Sequence, residues 1–537
     1  MIADTITALL DGAARGDGTV AFLDDDRVEM PFGDLWRRAE RAAAYFLDAA
    51  GAGGTVAVMM ETSPDGLASL LGALRAGLTV LSLPYPARGT GLDEYTRLVA
   101  GIGERSGAAV AALPPRFAGL LQDPPLRVVS HEECAAHARR ADVVEAGELV
   151  QFSSGSTGLP RGVRLDARAI AANVVATLER VPSPLVGCSW LPLSHDMGLI
   201  GMCFCILVSM GAPWDGSRLA LMPPEAFIRR PSRWMLACSE LGATLTCTPN
   251  FGLDLVLRHA GVLPSGIDLH RLASVIVGSE PIRASTMRQF ARTMAPAGFD
   301  ETALSPAYGM AEATLAVSLV RPGDRWHSLV APADPTDGAG TEVVSCGFPL
   351  SGVEVRAPDV SRGAGPIAIR GATMLSGYLG EAASPFHDGW LETRDLGFLA
   401  GGEVFVVGRA DDVIVVAGRK LYPDALELTA EAHPALRAGN CAAIPDDSGG
   451  YVIVAERSRA EPPPDLAEVC RRVRTELAVH HGVAPAAVTI VSPGTLPKTP
   501  SGKLQRRRLR LLRSRHELLV EADVRFGLEV SSADDSP

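Results

Sequence analysis

The stretch VQFSSGSTGLPRGVRL (Val150–Leu165) begins as an apolar strand, runs into hydroxyls and glycines, and closes on Pro160 and Arg161. Glycines let a backbone approach a ligand closely, and successive N–H groups with hydroxyls make a concavity suited to an anion. The spacing G-x-x-x-x-G-K-[ST] is absent, so this is not a Walker A loop. A flexible Ser/Gly loop is the plain alternative. The strand before it and the basic residue after it favour phosphate cradling.

Outward from this loop the chain reads as alternating strands and helices. In TVAVMMETSPDGLASLLGALRAGLTVLSLP (55–84) an apolar strand, an amphipathic helix and a second apolar strand follow one another. Ser63 is placed to cap that helix, and Pro64 fits its first turn. Apolar strands with helical crossovers imply parallel sheets covered by helices. Strands near 143–154, 243–250 and 273–280 repeat the theme. From about residue 344 the texture changes to short β-rich runs, and from about 411 strands and helices alternate again. The expected fold is therefore α/β. An α/β core spans residues 1–343 and a β-rich subdomain 344–410; an α+β C-terminal domain spans 411–525, and 526–537 is expected to be a disordered tail.

Bulk properties narrow the function. The 537 residues are 47% hydrophobic and 21% charged, an ordinary globular profile. A net charge of −12 gives no basic footprint for nucleic acid. Nine irregularly spaced cysteines and a start without a basic n-region or apolar h-region point to a reducing, cytoplasmic setting. The longest uncharged run, MGLIGMCFCILVSMGAPW (Met197–Trp214), approaches the roughly 20 residues of a membrane span. Its glycines and its flanking His195 and Asp196 fit a buried helix or an apolar tunnel wall better.

Several local motifs fail. The histidines of HEECAAH (His131–His137) lack metalloprotease spacing, Cys203 and Cys205 lack a second zinc-ligand pair, and no G-x-S-x-G elbow is present. Lysine occurs only at positions 420, 498 and 503, two of them within TLPKTPSGKLQRRRLR (Thr495–Arg510). A compact ammonium on a flexible stem reaches a crowded anionic centre where a planar guanidinium does not fit. The arginines that follow are expected on one face of a short surface helix.

Taken in order, SSGSTGLPRG, YGMAEAT (Tyr308–Thr314), TRDLG (Thr393–Gly397), GRADDVI (Gly408–Ile414) and PKTPSGK resemble the core motifs of adenylate-forming enzymes over nearly the whole chain. SWLPLSHDMGLIG (Ser189–Gly201), TPNFGLDL (Thr248–Leu255) and VGSEPIR (Val277–Arg283) resemble the fatty acyl-AMP ligase branch. The resemblance implies a mobile C-terminal domain. It implies activation of a carboxylic acid by ATP as acyl-AMP, with pyrophosphate released, then transfer to a thiol. The implied acceptor is the phosphopantetheine thiol of an acyl carrier protein, which would have to be a separate protein, since no carrier domain is visible in the chain.

Residue roles follow from the same resemblance. Ser153, Ser154, Gly155, Ser156, Thr157 and Gly158 would wrap phosphates, with Arg161 where lysine is more usual. Gly278, Ser279, Glu280 and Pro281 would border adenine, beside Tyr308, Gly309 and Met310. Asp395 would bind the ribose hydroxyls, supported by Arg409, and Glu312 would hold Mg²⁺. Asp411 would be the hinge. His195, Met197, Gly198, Asn250 and Phe251 would line the acyl pocket, and His195 is also a catalytic candidate. Lys503 would bridge the substrate carboxylate and the α-phosphate. For Glu312 the plain alternative is a first-turn helix glutamate, and for the pocket residues it is ordinary core.

Two features depart from the pattern. Arg394 replaces the usual glycine of T-G-D-L-G, and the segment between Ser318 and Val344 is short for this branch. The acceptor therefore stays open between a carrier protein and CoA. A non-catalytic nucleotide- or acyl-binding relative is the third reading.

Overall fold

The computed structural model describes residues 5–83, 92–118, 126–141, 145–153, 161–211, 216–262, 266–331, 342–416, 419–446, 449–458, 465–498 and 504–526. Among them the strands form one nine-stranded and one seven-stranded sheet, two four-stranded sheets and two small ribbons.

The seven-stranded sheet carries the opening motif. Its strand Glu148–Ser153 pairs in parallel with Thr79–Leu83 and antiparallel with Arg161–Asp166, Ser153 lying opposite Arg161. Thr55–Met59 pairs in parallel with Thr79–Leu83 through the helix Pro64–Arg75. Ser63 Oγ accepts from the Gly66 N–H at 3.1 Å, the expected cap. Every described face of that helix after Asp65 is buried, because it lies between the sheet and the helix Phe32–Ala50. At their crossing Gly72 lets the backbones meet: a Cβ there would come within 2.5 Å of the Ala39 carbonyl oxygen.

In the nine-stranded sheet, Leu245–Thr248, Ser274–Val277 and Leu304–Gly309 run side by side in parallel. Their carboxyl ends therefore open onto one edge, where open α/β sheets hold ligands. The uncharged run forms the π-helical segment Met197–Phe204, continued by the α-helix Cys205–Val208, and both are buried throughout. Among the described residues no helix is long and apolar enough to cross a membrane.

The β-rich run forms an antiparallel sheet of Val353–Arg356, Gly365–Gly371, Leu391–Ala400 and Glu403–Arg409. Beyond it, Leu436–Pro445, Tyr451–Arg457, Ala487–Val491 and Val520–Arg525 form the last sheet. With the helices Pro423–Glu431 and Leu466–His481 it encloses a core of its own, which includes Tyr451, Ile453, Leu477 and Ile490. The helix Arg506–Ser514 is present, but its arginines do not share one surface face. Arg507, Arg508 and Arg510 are exposed. Arg506 turns inward to Glu427 and Asp424, each at 2.8 Å, because the buried carboxylate of Glu427 requires a cation.

Candidate active site

Three strand ends build the site. After Leu245–Thr248 comes Pro249-Asn250-Phe251, after Ser274–Val277 comes Gly278-Ser279-Glu280-Pro281, and Leu304–Gly309 ends in Tyr308-Gly309. Ser279 has φ +69°, an uncommon conformation for a side chain larger than glycine's. At Gly309 no side chain fits, since a Cβ would lie 1.9 Å from the Leu315 carbonyl oxygen. Such crowding and strain concentrate where a backbone must approach a ligand.

The β-rich sheet delivers Asp395 to the same edge. Tyr308 Oη donates to Asp395 Oδ2 at 2.7 Å, and Arg409 Nε lies 3.5 Å from Asp395 Oδ1. Asp395 and Arg409 are direct cross-strand partners, so one register sets both. Burial, reinforced by Asp395, pushes the Tyr308 hydroxyl well above its ordinary range, which keeps it a neutral donor. Met310 Sδ lies 3.9 Å from the same hydroxyl.

Glu312 sits in the short turn Ala311–Ala313, whose carbonyl oxygen at Glu312 accepts from the Leu375 N–H at 2.9 Å. The next residue but one, Thr314, has φ +69° and is pinned by a 2.6 Å bond to the Thr373 carbonyl. Tyr378 Oη donates to the Glu312 carboxylate at 3.3 Å. Burial raises the Glu312 carboxyl above its ordinary range and, with Glu312 beside it, the Tyr378 hydroxyl to about 12. A carboxylate so covered and so weakly compensated suits a cation. A single carboxylate completed by phosphate and water oxygens is also the set Mg²⁺ favours. No cluster of three or more His, Cys, Asp or Glu able to hold a metal occurs among the described residues.

Arg161 stacks on the Tyr378 ring, 3.4 Å from its centroid, while Nε and Nη2 fork Glu381 at 2.8 and 2.6 Å. It is thus held at the foot of the Ser/Gly loop. Ser154, Gly155, Ser156, Thr157, Gly158 and Lys503 lie outside the described residues, as does the side chain of Ser153.

A narrow cavity of about 40 Å³ opens between Met197, Gly278, Ser279, Tyr308 and Gly309 and runs inward past Leu315. Its walls are mostly apolar. Of the acyl-pocket candidates Met197 lines it, whereas His195, Gly198, Asn250 and Phe251 do not. His195 Nδ1 lies 2.7 Å from Asp196 Oδ1, at the start of the π-helical segment. Gly198 packs against the Pro192 carbonyl, 2.3 Å from where a Cβ would sit. Asn250 ties two helices together: its amide donates to Asp254 at 3.1 Å and its oxygen accepts from the Arg283 N–H at 3.0 Å. The Phe251 N–H donates to Glu280. Asp411 pairs with Arg394 at 2.6 Å.

Two residues at the site went unassigned in the sequence. Tyr378 carried no signal beyond being one of seven tyrosines. Lys498 carried a clear one, as one of three lysines, yet its place against Phe251, 5.4 Å from the ring centroid, depends on the packing of distant segments.

Comparisons with known proteins bear on this geometry. The profile of the AMP-binding enzyme family matches residues 10–91 and 120–379. A Caulobacter vibrioides protein, named only provisionally as an acyl-CoA synthetase, is 33% identical across 94% of each chain. The long-chain-fatty-acid–AMP ligase FadD26 of Mycobacterium tuberculosis is 31% identical over 84% of this chain and 86% of its own. A solved structure from a study of fatty acyl-adenylate ligases from E. coli and L. pneumophila superposes with a TM-score of 0.86 at 26% identity. That superposition spans 96% of this chain and 99% of the other.

Proposed function

The chain belongs to the AMP-binding enzyme family, and from that premise we propose that it joins a fatty or related carboxylic acid to AMP and passes the acyl group to a thiol on a separate acyl carrier protein. The observation that carries the reading is the meeting of Tyr308, Asp395 and Arg409 beside the mouth of an apolar cavity, with the buried Glu312 carboxylate in the adjoining turn.

The acid is already ionised near neutral pH and needs no general base. Its carboxylate oxygen attacks the α-phosphorus of ATP, the P–O bond of a mixed carboxylic–phosphoric anhydride forms, and the P–O bond to pyrophosphate breaks. Two anions must be brought together while charge grows on phosphorus, a task of positioning and electrostatics. Asp395 accepts the ribose hydroxyls, oriented by Tyr308 and Arg409, and Gly278 to Pro281 border the base. Residues 153–158 cradle phosphate. Glu312 is the residue that would hold Mg²⁺, which supplies neutralising charge to the phosphates. Lys503 bridges the reacting groups when residues 411–525 are docked as a unit on residues 1–410, with Asp411 at the hinge. The apolar lining of the cavity suits aliphatic rather than polar groups, in keeping with the name of the FadD26 relative.

CoA as acceptor is the second reading. It is favoured by the Caulobacter relative's name and by the short segment between Ser318 and Val344. Acid-dependent ATP–pyrophosphate exchange across fatty and aryl acids tests the first half-reaction, and no exchange with any acid refutes it. Thioester formation on a phosphopantetheinylated carrier, set against CoA, decides the acceptor.

A further inference from the structure

Lys498 is the place where the C-terminal region meets Phe251, whose N–H donates to Glu280 beside the cavity-lining Ser279. Its Nζ donates to the Gly439 carbonyl oxygen at 2.6 Å, and the same ammonium lies over the Phe251 ring. Gly439 has φ +69°, a left-handed turn that aims its carbonyl at the lysine. Two further contacts cross the same seam: Arg258 Nη1 donates to the Ala438 carbonyl at 2.6 Å, and Arg283 pairs with Glu431 at 2.6 Å. Lys498 is thus one of three cation contacts that join residues 251–283 to the segment around 431–439.

The contact continues inward. The Phe251 N–H donates to the Glu280 carboxylate, and Glu280 follows Gly278 and Ser279, which line the cavity. The Phe251 ring meets Trp190 edge-on at 6.5 Å, so it is held from behind by core. A cation over an aromatic face is attracted to it, the more strongly when water is excluded. An arginine fork could not replace the ammonium here without moving the Gly439 turn, because one compact donor fills the space between carbonyl and ring. This accounts for one of the three lysines in a chain whose basic residues are otherwise arginines.

We propose that Lys498 is a positioning residue for acyl-adenylate formation: docked on Gly439 and Phe251, it sets the Phe251–Glu280 pair, and through it the adjoining Gly278–Ser279 wall of the cavity, whenever the C-terminal region is in place. The inference rests on the reading of the chain as an acyl-adenylate-forming ligase. It assigns Lys498 to the first half-reaction alone, since it acts only through a docked seam.

The test is a half-reaction comparison on the full chain with Lys498→Met, Phe251→Leu and the double variant. Acid-dependent ATP–pyrophosphate exchange should fall about 10- to 100-fold in Lys498→Met, mostly in kcat, as expected of a misplaced reacting geometry. Transfer from chemically prepared acyl-AMP to the thiol acceptor should stay within about twofold of wild type, at an unchanged melting temperature. The double variant should lose no more than the worse single variant, because both remove one interaction. Should Lys498→Met fail to fold, Lys498→Arg, which keeps the charge but not the compact donor, must show the same selective loss. Wild-type exchange in Lys498→Met, an equal loss in both half-reactions, or additive losses in the double variant each overturn the proposal. Absence of exchange in the wild type overturns the functional reading itself, and this inference with it.

Discussion

The guanidinium of Arg394 pairs with the carboxylate of Asp411 at 2.6 Å, while the neighbouring Asp395 pairs with Tyr308. Successive residues of a strand face opposite sides. The arginine that departs from the family pattern therefore stands back to back with the ribose candidate and reaches the hinge candidate instead. Both partners are more than half exposed, at 61% and 51%, so the pair contributes under about 1 kcal/mol. Arg394→Gly is expected to change the KM for ATP by less than about fivefold, a limit set by that energy. A tenfold fall in KM would instead mean that Arg394 obstructs the nucleotide.

Tyr308→Phe removes the hydroxyl donor from Asp395 and leaves Arg409 beside it. A hydrogen bond to a charged group is worth about 1.5–3 kcal/mol, so the KM for ATP should rise at least about tenfold with little change in melting temperature. Exchange measured over an ATP series checks this. An unchanged KM would remove Asp395 from nucleotide binding.

Glu312→Gln keeps a partner for Tyr378 but removes the buried charge. Titration calorimetry with ATP should then lose its dependence on Mg²⁺. Thermal stability should hold or rise, because burial disfavours the ionised carboxylate. Wild-type Mg²⁺ dependence in the variant would refute the assignment.

Arg506→Met strands the Glu427 carboxylate, which is 2% exposed. Removing one partner of a buried pair costs about 3–5 kcal/mol. Amide exchange in the strand Leu436–Pro445 should accelerate accordingly. Adding Glu427→Gln should restore most of the protection, whereas additive losses would contradict the pairing.

Docking of the C-terminal region should depend on pH through Lys498. Burial pulls its ammonium down to about 8, against an ordinary value of about 10.4. The docked lysine holds its proton less tightly, so docking releases a proton between those values. Docking therefore strengthens as pH rises from about 8 towards about 10 and is unaffected by this group below that window. The charged groups facing Lys498 are Glu280, Glu456, Arg258 and Arg437. A fluorophore pair across the seam should report tighter docking from pH 8 to 9.5 in wild type and a flat profile in Lys498→Met. Parallel profiles would exclude Lys498 as the titrating group.

The strand–helix–strand unit of 55–84 was legible in the sequence because its signals are local: alternating apolar runs, a serine cap and a proline at the first turn. The candidate site motifs could be picked out for a similar reason, since Tyr308, Glu312 and Asp395 each lie in a short stretch of distinctive order. The inward turn of Arg506 was not legible. Periodicity places it on a basic helix, and only the buried carboxylate of Glu427, 79 residues earlier, draws it inside.

By itself, then, the sequence determined the α/β architecture, the order of the chemical motifs and the rarity of lysine, all properties of neighbouring residues. Tertiary structure alone decided which side chains meet. It set Tyr308 on Asp395, turned Arg394 to Asp411 and laid Lys498 between Gly439 and Phe251. Each of these contacts joins segments whose approach depends on sheet register and on the packing of whole layers, and no local pattern encodes either.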